Sequence, residues 1–350
     1  MGLKKYDANE ANKQTEEVKN QDTLHQEKIN SLIEANKQLE EEQKNVPLNE
    51  SQDEIVKNIN VAREEYLAYS KKQKRLNYVL TGAVVAIMIV CFVLIIVLGN
   101  KEGNSWILYM CLGIMIAVLV LTFILTKVFK NKLSSHAQSY IDFLYKCIDN
   151  YLFNKENFSK SDYLPNQQMD DHLFMDGHFY KNIKGTKSRN LVVTTYKDKT
   201  LSSADLAGNI LIKNRTSPMF LGKFYDYGNN YRGKDKYILF QLKGGQLSRP
   251  LDDVDGLTLV EGDDEYCIYT NDQEYKKVFT KKTLSELRKF KIDSTLIDVI
   301  FSIREGKTCL GIDYADEFMN IPVESKFTFD NVRRSEQDLE KVLAVFDTIE

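Results

Sequence analysis

Two uncharged apolar runs constrain this chain more than any other feature of its sequence. The first covers 20 residues from Val79 to Leu98, and the second covers 21 residues from Trp106 to Thr126. A bilayer core of about 30 Å needs roughly 20 helical residues, because in hydrocarbon every backbone polar group must bond within its own segment. The sequence therefore predicts two transmembrane helices.

The basic residues around these runs predict how the helices are oriented. Only seven residues, Gly99 to Ser105, link the runs, so the predicted spans must form an antiparallel hairpin. Cytoplasmic flanks are enriched in Lys and Arg, and the link contains a single basic residue, Lys101. Seven basic residues flank the outer ends of the hairpin: Lys71, Lys72, Lys74, Arg75, Lys127, Lys130 and Lys132. We therefore expect a multi-pass protein of the cell membrane with two spans and both termini in the cytoplasm. The cluster before the first span is also suited to attracting anionic lipid.

The composition argues against several classes of protein. The polar residues of the spans are Thr81, Thr122 and Thr126, and the absence of a charged side chain argues against a channel or transporter. Five cysteines in 350 residues, with Cys91 and Cys111 inside the runs, exclude a secreted disulfide scaffold. A net charge of −3 argues against a nucleic-acid binder, so no nucleic-acid partner is expected.

The chain divides into four predicted regions around the hairpin. Residues 1–75 form a polar helical or partly disordered segment, and residues 76–130 form the transmembrane hairpin. Residues 131–156 form an amphipathic linker helix, and residues 157–350 form a cytoplasmic α+β domain. Weak heptad spacing between Thr15 and Lys44 leaves two interpretations of the first region open, a charged stalk or a self-associating coiled coil.

The predicted domain is classed as α+β because its strands and helices do not alternate regularly. Strands are predicted at Val192–Tyr196, Asn209–Lys213, Met219–Tyr225, Lys236–Leu242, Leu257–Val260 and Glu265–Thr270. A helix is expected to start near Thr280, and a hairpin is expected to turn at Glu305-Gly306. A closing amphipathic helix is expected from about Ser335, with Asn331 or Ser335 as its cap.

Several short segments follow the hairpin in a fairly specific order. They are Ser202-Ser-Ala-Asp-Leu206, Met219-Phe-Leu-Gly-Lys-Phe-Tyr225 with Tyr231-Arg-Gly233, and Glu265-Tyr-Cys-Ile-Tyr-Thr-Asn-Asp272 followed by Val278-Phe-Thr280. From residue 79 to residue 350 the chain resembles a family of bacterial membrane proteins with two adjacent spans before a C-terminal domain of unassigned function. The resemblance implies architecture and location, and the family supplies no catalytic residues. Its members are often encoded near LemA-like membrane proteins, which the resemblance implies as possible partners. The long Asn/Gln/Lys-rich N-terminus departs from the family pattern.

Two groups of side chains in the predicted domain are candidates for binding. Asp170, His172, Asp176 and His178 bring carboxylate and imidazole donors close together in sequence, as a divalent metal site requires, but spacing alone favours a structural loop with its apolar neighbours turned inward. Lys223, Arg232 and Lys234 lie among tyrosines, which suits lipid headgroups, a solvated hairpin face or RNA stacking. From Glu156 onward the chain contains 28 basic and 32 acidic residues, and this net charge of −4 argues against RNA binding.

These patterns favour a membrane-anchored cytoplasmic interaction or scaffold module. Its expected partners are the lipid bilayer and either another protein or a second copy bound through the N-terminal helices. No catalytic residue and no cofactor is predicted, since the sequence lacks a G-x-S-x-G elbow and a C-x-x-C pair. The alternatives are a metal-dependent enzyme built around residues 170–178 and a sensor of membrane lipid or stress.

Overall fold

A computed structural model describes most of the chain from Glu50 onward. The described residues are 50–98, 105–165, 167–177, 179–180, 183–212, 215–243, 256–290, 296–314, 323 and 325–349. They fall into two compact units: a helical unit within Glu50–Ile148 and Pro322–Phe327, and a sheet unit within Asp149–Ile321 and Thr328–Glu350. The coiled coil predicted between Thr15 and Lys44 lies outside the described residues.

Two helices of 49 residues each build the helical unit. Helix α1 runs from Glu50 to Leu98, and helix α2 runs from Ser105 to Phe153, where its last turn enters the sheet unit. At 1.5 Å per residue each helix is about 74 Å long, and neither contains a proline that would interrupt it. Helix α1 runs without a break from the polar segment through the first apolar run. The second span and the amphipathic segment after it likewise form one helix.

The two helices pack side by side in antiparallel directions. Tyr66 stacks on Tyr140 with ring centroids 5.7 Å apart, and the Tyr69 ring lies 3.8 Å from that of His136. Cys91 packs against Cys111 further along. Residues further along α1 contact residues that come earlier in α2. The contacts therefore confirm the predicted antiparallel hairpin.

The apolar stretches of both helices face outward on nearly every side. In the most apolar 18-residue window of each helix only 6% of the residues are buried. The core helix of a water-soluble protein would instead bury most of such a window. By length and composition, therefore, both helices are able to cross a membrane.

A short segment from the end of the chain is bound to α1 within the helical unit. The Asn60 side chain donates to the Phe327 carbonyl oxygen (2.9 Å) and accepts from the Phe327 amide (3.1 Å). Arg63 donates to the carbonyl oxygen of Val323 at 2.8 Å. Phe327 and Ile59 are both fully buried. The carboxamide thus satisfies both backbone groups of Phe327, as a neighbouring strand would.

The described residues of the sheet unit form nine antiparallel strands in the order β1-β2-β3-β4-β9-β8-β5-β7-β6. The strands are β1 Phe158–Leu164, β2 Ile183–Tyr196, β3 Lys199–Ile212, β4 Arg215–Gly228, β5 Ile238–Lys243, β6 Thr258–Gly262, β7 Tyr266–Thr270, β8 Leu296–Arg304 and β9 Lys307–Tyr314. The helices are α3 Asp171–Met175, α4 Lys281–Leu287 and α5 Asp330–Phe346, with a 3-10 turn at Tyr275–Lys277. The predicted domain is therefore, at its centre, an antiparallel sheet with helices.

Several predicted elements need correction. The sequence analysis did not predict strand β1 or the part of β3 from Lys199 to Gly208. Helix α4 begins as expected after Thr280, whose side chain forms a reciprocal capping box with Thr283. Helix α5 begins at Asp330 with Phe329 at the cap position, so Asn331 and Ser335 lie inside the helix and do not cap it.

The two faces of the sheet carry different side chains. On the aromatic face, the ring centroid of Phe174 in α3 lies 5.2 Å from that of Phe220 and 5.3 Å from that of Phe224. On the opposite face, which we call the charged face, Tyr227 stacks on Phe346 of α5 at 4.8 Å. Both faces are covered in part, which explains why polar residues of the strands also become buried.

Gly222 tests how closely β4 and β9 approach each other. A Cβ atom built there would lie 1.8 Å from the carbonyl oxygen of Ile312, so Gly222→Ala must push the strands apart. We expect the free energy of unfolding to fall by about 1–3 kcal/mol, which is typical of overpacking. Denaturant unfolding, monitored by the circular dichroism of the tyrosines, measures this change. Gly228→Ala in the same strand is the control, because its nearest neighbour would lie at 3.6 Å. Equal losses in both variants would contradict the close approach.

Candidate binding site on the charged face

A row of three charged side chains crosses the first strands of the sheet. Arg189 of β2, Asp205 of β3 and Lys223 of β4 are direct cross-strand partners, so their side chains share one face. Lys223 Nζ lies 3.2 Å from Asp205 Oδ1, and Arg189 Nε lies 3.7 Å from Asp205 Oδ2. The Asp205 and Lys223 side chains are each less than a tenth exposed, whereas Arg189 is half exposed. One buried carboxylate therefore serves two cations.

An irregularity in β2 completes the surroundings of Asp205. The pairing with β3 shifts register between Arg189 and Val192, and Asn190 has a positive φ of 55°. Such bulges redirect side chains. Here Asn190 Nδ2 donates to Asp205 Oδ2 at 2.5 Å, while Tyr163 Oη donates to Asn190 Oδ1 at 3.1 Å. The bulge thus gives Asp205 a third donor.

Asp149, near the end of α2, adds a second buried carboxyl group to this region. Its Oδ2 atom is buried and has no hydrogen-bond partner among the described residues. Burial raises the pKa of Asp149 to about 7; the nearby Lys223 ammonium opposes this shift and the Asp205 carboxylate adds to it. At neutral pH the side chain is therefore close to half protonated. Burial likewise holds the pKa of Tyr225 well above its usual value, so its hydroxyl stays neutral.

An open cavity of about 300 Å³ lies beside the charged row. Two neighbouring rows of the sheet build it, because Lys187, Ala207 and Leu221 are cross-strand partners in the same way as the charged residues. Its lining is Lys187, Ser188, Arg189, Asp205, Leu206, Ala207, Leu221 and Gly222. The floor is largely apolar, and the lining carries two basic groups against one acidic group. A cavity of this kind suits a small negatively charged group with an apolar attachment.

The predicted metal ligands have other roles in the structure. Asp170 caps α3 by accepting from the His172 amide at 3.0 Å, and Asp176 accepts from Arg304 at 3.1 Å. The His172 ring is exposed, with Nδ1 3.9 Å from Asp176 Oδ1, and His178 lies outside the described residues. Within the part of the chain that the structure describes, no three His, Cys, Asp or Glu side chains are placed to hold one metal ion.

The three residues predicted to contact lipid differ in how exposed their side chains are. Arg232 and Lys234 are exposed in the segment between β4 and β5. Lys223 is 5% exposed and paired with Asp205, so it cannot contact a membrane surface and is removed from this set. The seven basic residues that flank the apolar runs are all exposed on α1 and α2.

Sequence reasoning singled out Lys223 with a different role, and it missed Asp205 and Asp149 as parts of this site. Asp205 lies between Ala204 and Leu206, and Asp149 follows the buried Ile148 in an otherwise apolar helix face. A single acid inside an apolar segment was the available signal, because a buried carboxylate needs a compensating partner. Which residues become the partners of such a carboxylate depends on strand register. The alternation of apolar and polar residues along a strand does not reveal that register.

The chain matches no protein-family model, no curated protein and no solved structure. The resemblance to the bacterial two-span family therefore stays a prediction, as does a LemA-like partner. What the site can do has to be argued from its geometry.

The pH dependence of stability tests the buried position of Asp149. The folded state holds this proton more tightly than the unfolded chain does, whose Asp pKa is about 3.9. Protonation of Asp149 therefore contributes fully to the free energy of unfolding below about pH 4. This contribution, roughly 4 kcal/mol, is lost as the pH rises to about 7. Asp149→Asn, which cannot ionise, should lose this dependence and gain stability relative to wild type as the pH rises. Denaturant unfolding at pH 4 to 8 measures it.

Asp162→Asn is the matched control, because Asp162 lies exposed on β1. Its stability should differ from wild type by a constant amount across this pH range. If Asp149→Asn behaves in the same way as this control, the carboxyl group is not buried as described.

Proposed function

We propose that this protein is a membrane-anchored interaction module. The helical hairpin holds the chain in the cell membrane with both termini in the cytoplasm, and the sheet unit presents a binding surface on that side. The observation that carries the proposal is the outward exposure of the apolar stretches of α1 and α2.

Exposure of so many apolar side chains favours a membrane over water. Phe92 is 62% exposed, Phe123 is 72% exposed and Val79 is 69% exposed. Leaving one large apolar side chain in water forgoes about 1.5–3 kcal/mol, and dozens of them would outweigh the stability of an ordinary domain. The polar groups in these stretches suit hydrocarbon as well, since Thr81 and Thr122 donate to the carbonyl oxygens of Asn77 and Val118, one turn earlier in their own helices.

The charge distribution supports the cytoplasmic orientation. Seven exposed basic residues flank the outer ends of the apolar runs, and one lies in the link. That asymmetry favours a cytoplasmic location for the flanks. The link of seven residues is too short to hold a folded domain, which places the functional surfaces on the other side.

The cavity on the charged face supports a binding role for the sheet unit. Lys187 is exposed at the cavity, and Arg189 is held in place there by Asp205. We infer that they bind an acidic group of a partner protein. A LemA-like membrane protein is one candidate for that partner, and self-association through the N-terminal segment is a second route to assembly.

Cysteine labelling with a membrane-impermeant reagent tests the orientation. In a Cys147→Ser background, Ser105→Cys should react in intact cells. Gln168→Cys, at an exposed position of the sheet unit, should react only after lysis. The measured quantity is the labelled fraction before and after lysis. Labelling of position 168 from outside would overturn the orientation and the cytoplasmic binding surface together.

Crosslinking of the full-length protein in its native membrane tests the binding surface. We expect that Lys187→Glu strongly reduces the yield of the main crosslinked partner, because it reverses the charge that faces the acidic group. Lys282→Glu makes the same charge change at an exposed position of α4, away from the cavity, and should leave the yield unchanged. Equal yields from both variants would refute a partner bound through the cavity.

A further inference from the structure

Two cysteines are the buried residues of the apolar runs. Among the described residues of these runs, every side chain whose burial is known is exposed or half-buried except Cys91, 4% exposed, and Cys111, fully buried. The two cysteines pack against each other, one from each helix. Inside the apolar runs, the described contact that buries side chains between the two helices is therefore a pair of cysteines.

A third sulfur atom belongs to the same cluster. Met115, one turn beyond Cys111 on α2, packs against the two cysteines together with Leu94 and Ile95. The hydroxyl groups of Thr81 and Thr122 are already bonded to carbonyl oxygens of their own helices. The cluster therefore offers two thiols and a thioether in apolar surroundings.

Small size alone does not explain why cysteines occupy this crossing. Glycine is the residue that most favours close approach of membrane helices, and each run contains one. A Cβ atom added at Gly82 or at Gly113 would have nothing within 4 Å, so neither glycine lies at the crossing. The helices meet at thiols although smaller residues are present in both runs.

We propose that Cys91, Cys111 and Met115 bind a soft monovalent metal ion, of which Cu(I) is the physiological example. Thiolate and thioether ligands select such ions, while Mg²⁺ and Ca²⁺ require oxygen ligands. Loss of one thiol proton on binding leaves a neutral complex, which apolar surroundings favour. Cys91 lies seven residues from Leu98, and Cys111 lies five residues from Trp106. At 1.5 Å per residue the site is about 8–10 Å from the linked end of the hairpin, from which the ion would enter.

Metal titration of the purified full-length protein in detergent tests the proposal. The probe is Cu(I), competed with a chromogenic chelator under anaerobic conditions. We expect one tightly bound equivalent, and Cys91→Ser or Cys111→Ser should weaken it more than about 100-fold, beyond the effect of residues outside the ligand set. Met115→Leu keeps the apolar volume and removes the sulfur, and it should weaken binding by about 10- to 100-fold.

Two control variants distinguish the proposed metal ligands from other sulfur-containing residues of the chain. Met110→Leu changes an exposed methionine next to Cys111, and Cys147→Ser changes a half-buried thiol outside the runs. Both should leave the affinity unchanged. Binding that survives Cys91→Ser/Cys111→Ser would overturn the site, and an unchanged affinity in Met115→Leu would overturn the three-sulfur coordination. X-ray absorption of the copper-loaded wild-type protein is an independent measurement that needs no variant. Nitrogen or oxygen ligands in that spectrum would also overturn the proposal.

Discussion

A long helix with apolar side chains on every side has to satisfy its backbone internally, and this constraint governs the helical unit. Neither 49-residue helix contains a proline, and the hydroxyls of Thr81 and Thr122 bond within their own helices. Packing between the helices is left to ring pairs at one end and to a sulfur cluster at the other. Among the described residues of the apolar runs only Cys91 and Cys111 are buried, so the two helices share little core there.

The sheet unit is governed by the balance of buried charge. Asp205 compensates Lys223 directly, and removal of Asp205 would leave the buried Lys223 ammonium without this partner at a cost of about 3–5 kcal/mol. The Asp313 carboxylate serves the same sheet by accepting from the Leu221 amide at 2.9 Å, next to the last pair of the β4–β9 ladder. Asp149 is the exception, since its outer oxygen finds no partner among the described residues. Burial instead raises the pKa of Asp149 to about 7, so the side chain holds a proton at mildly acidic pH.

The elements that sequence reasoning found are those with a strong local signal. The hairpin at Gly306 has a positive φ of 71°, which glycine favours, and Thr280 caps α4 with its own side chain. The missed elements lack such a signal. Strand β1 is an edge strand with four consecutive exposed residues, and the first half of β3 buries Ser203 and Asp205 on a face where alternation predicts solvent. The candidate site depends on register and on the bulge after Arg189, so spacing could not reveal it, and the spacing of Asp170 to His178 pointed to a metal site that the described residues do not form.

The segment bound by Asn60 has a consequence for the order in which the protein is made. Asn60 and Phe327 are 267 residues apart, and a ribosome adds about 5–20 residues each second. Helix α1 therefore leaves the ribosome roughly 10–50 s before the backbone that its carboxamide will bind has been synthesised. During that interval the Asn60 side chain keeps its bond to the Val56 carbonyl oxygen one turn earlier in α1, whereas its bonds to Phe327 cannot yet form. The helical unit is thus completed only after Phe327 has been translated, so a segment encoded 267 residues after Asn60 completes a structure that begins with α1.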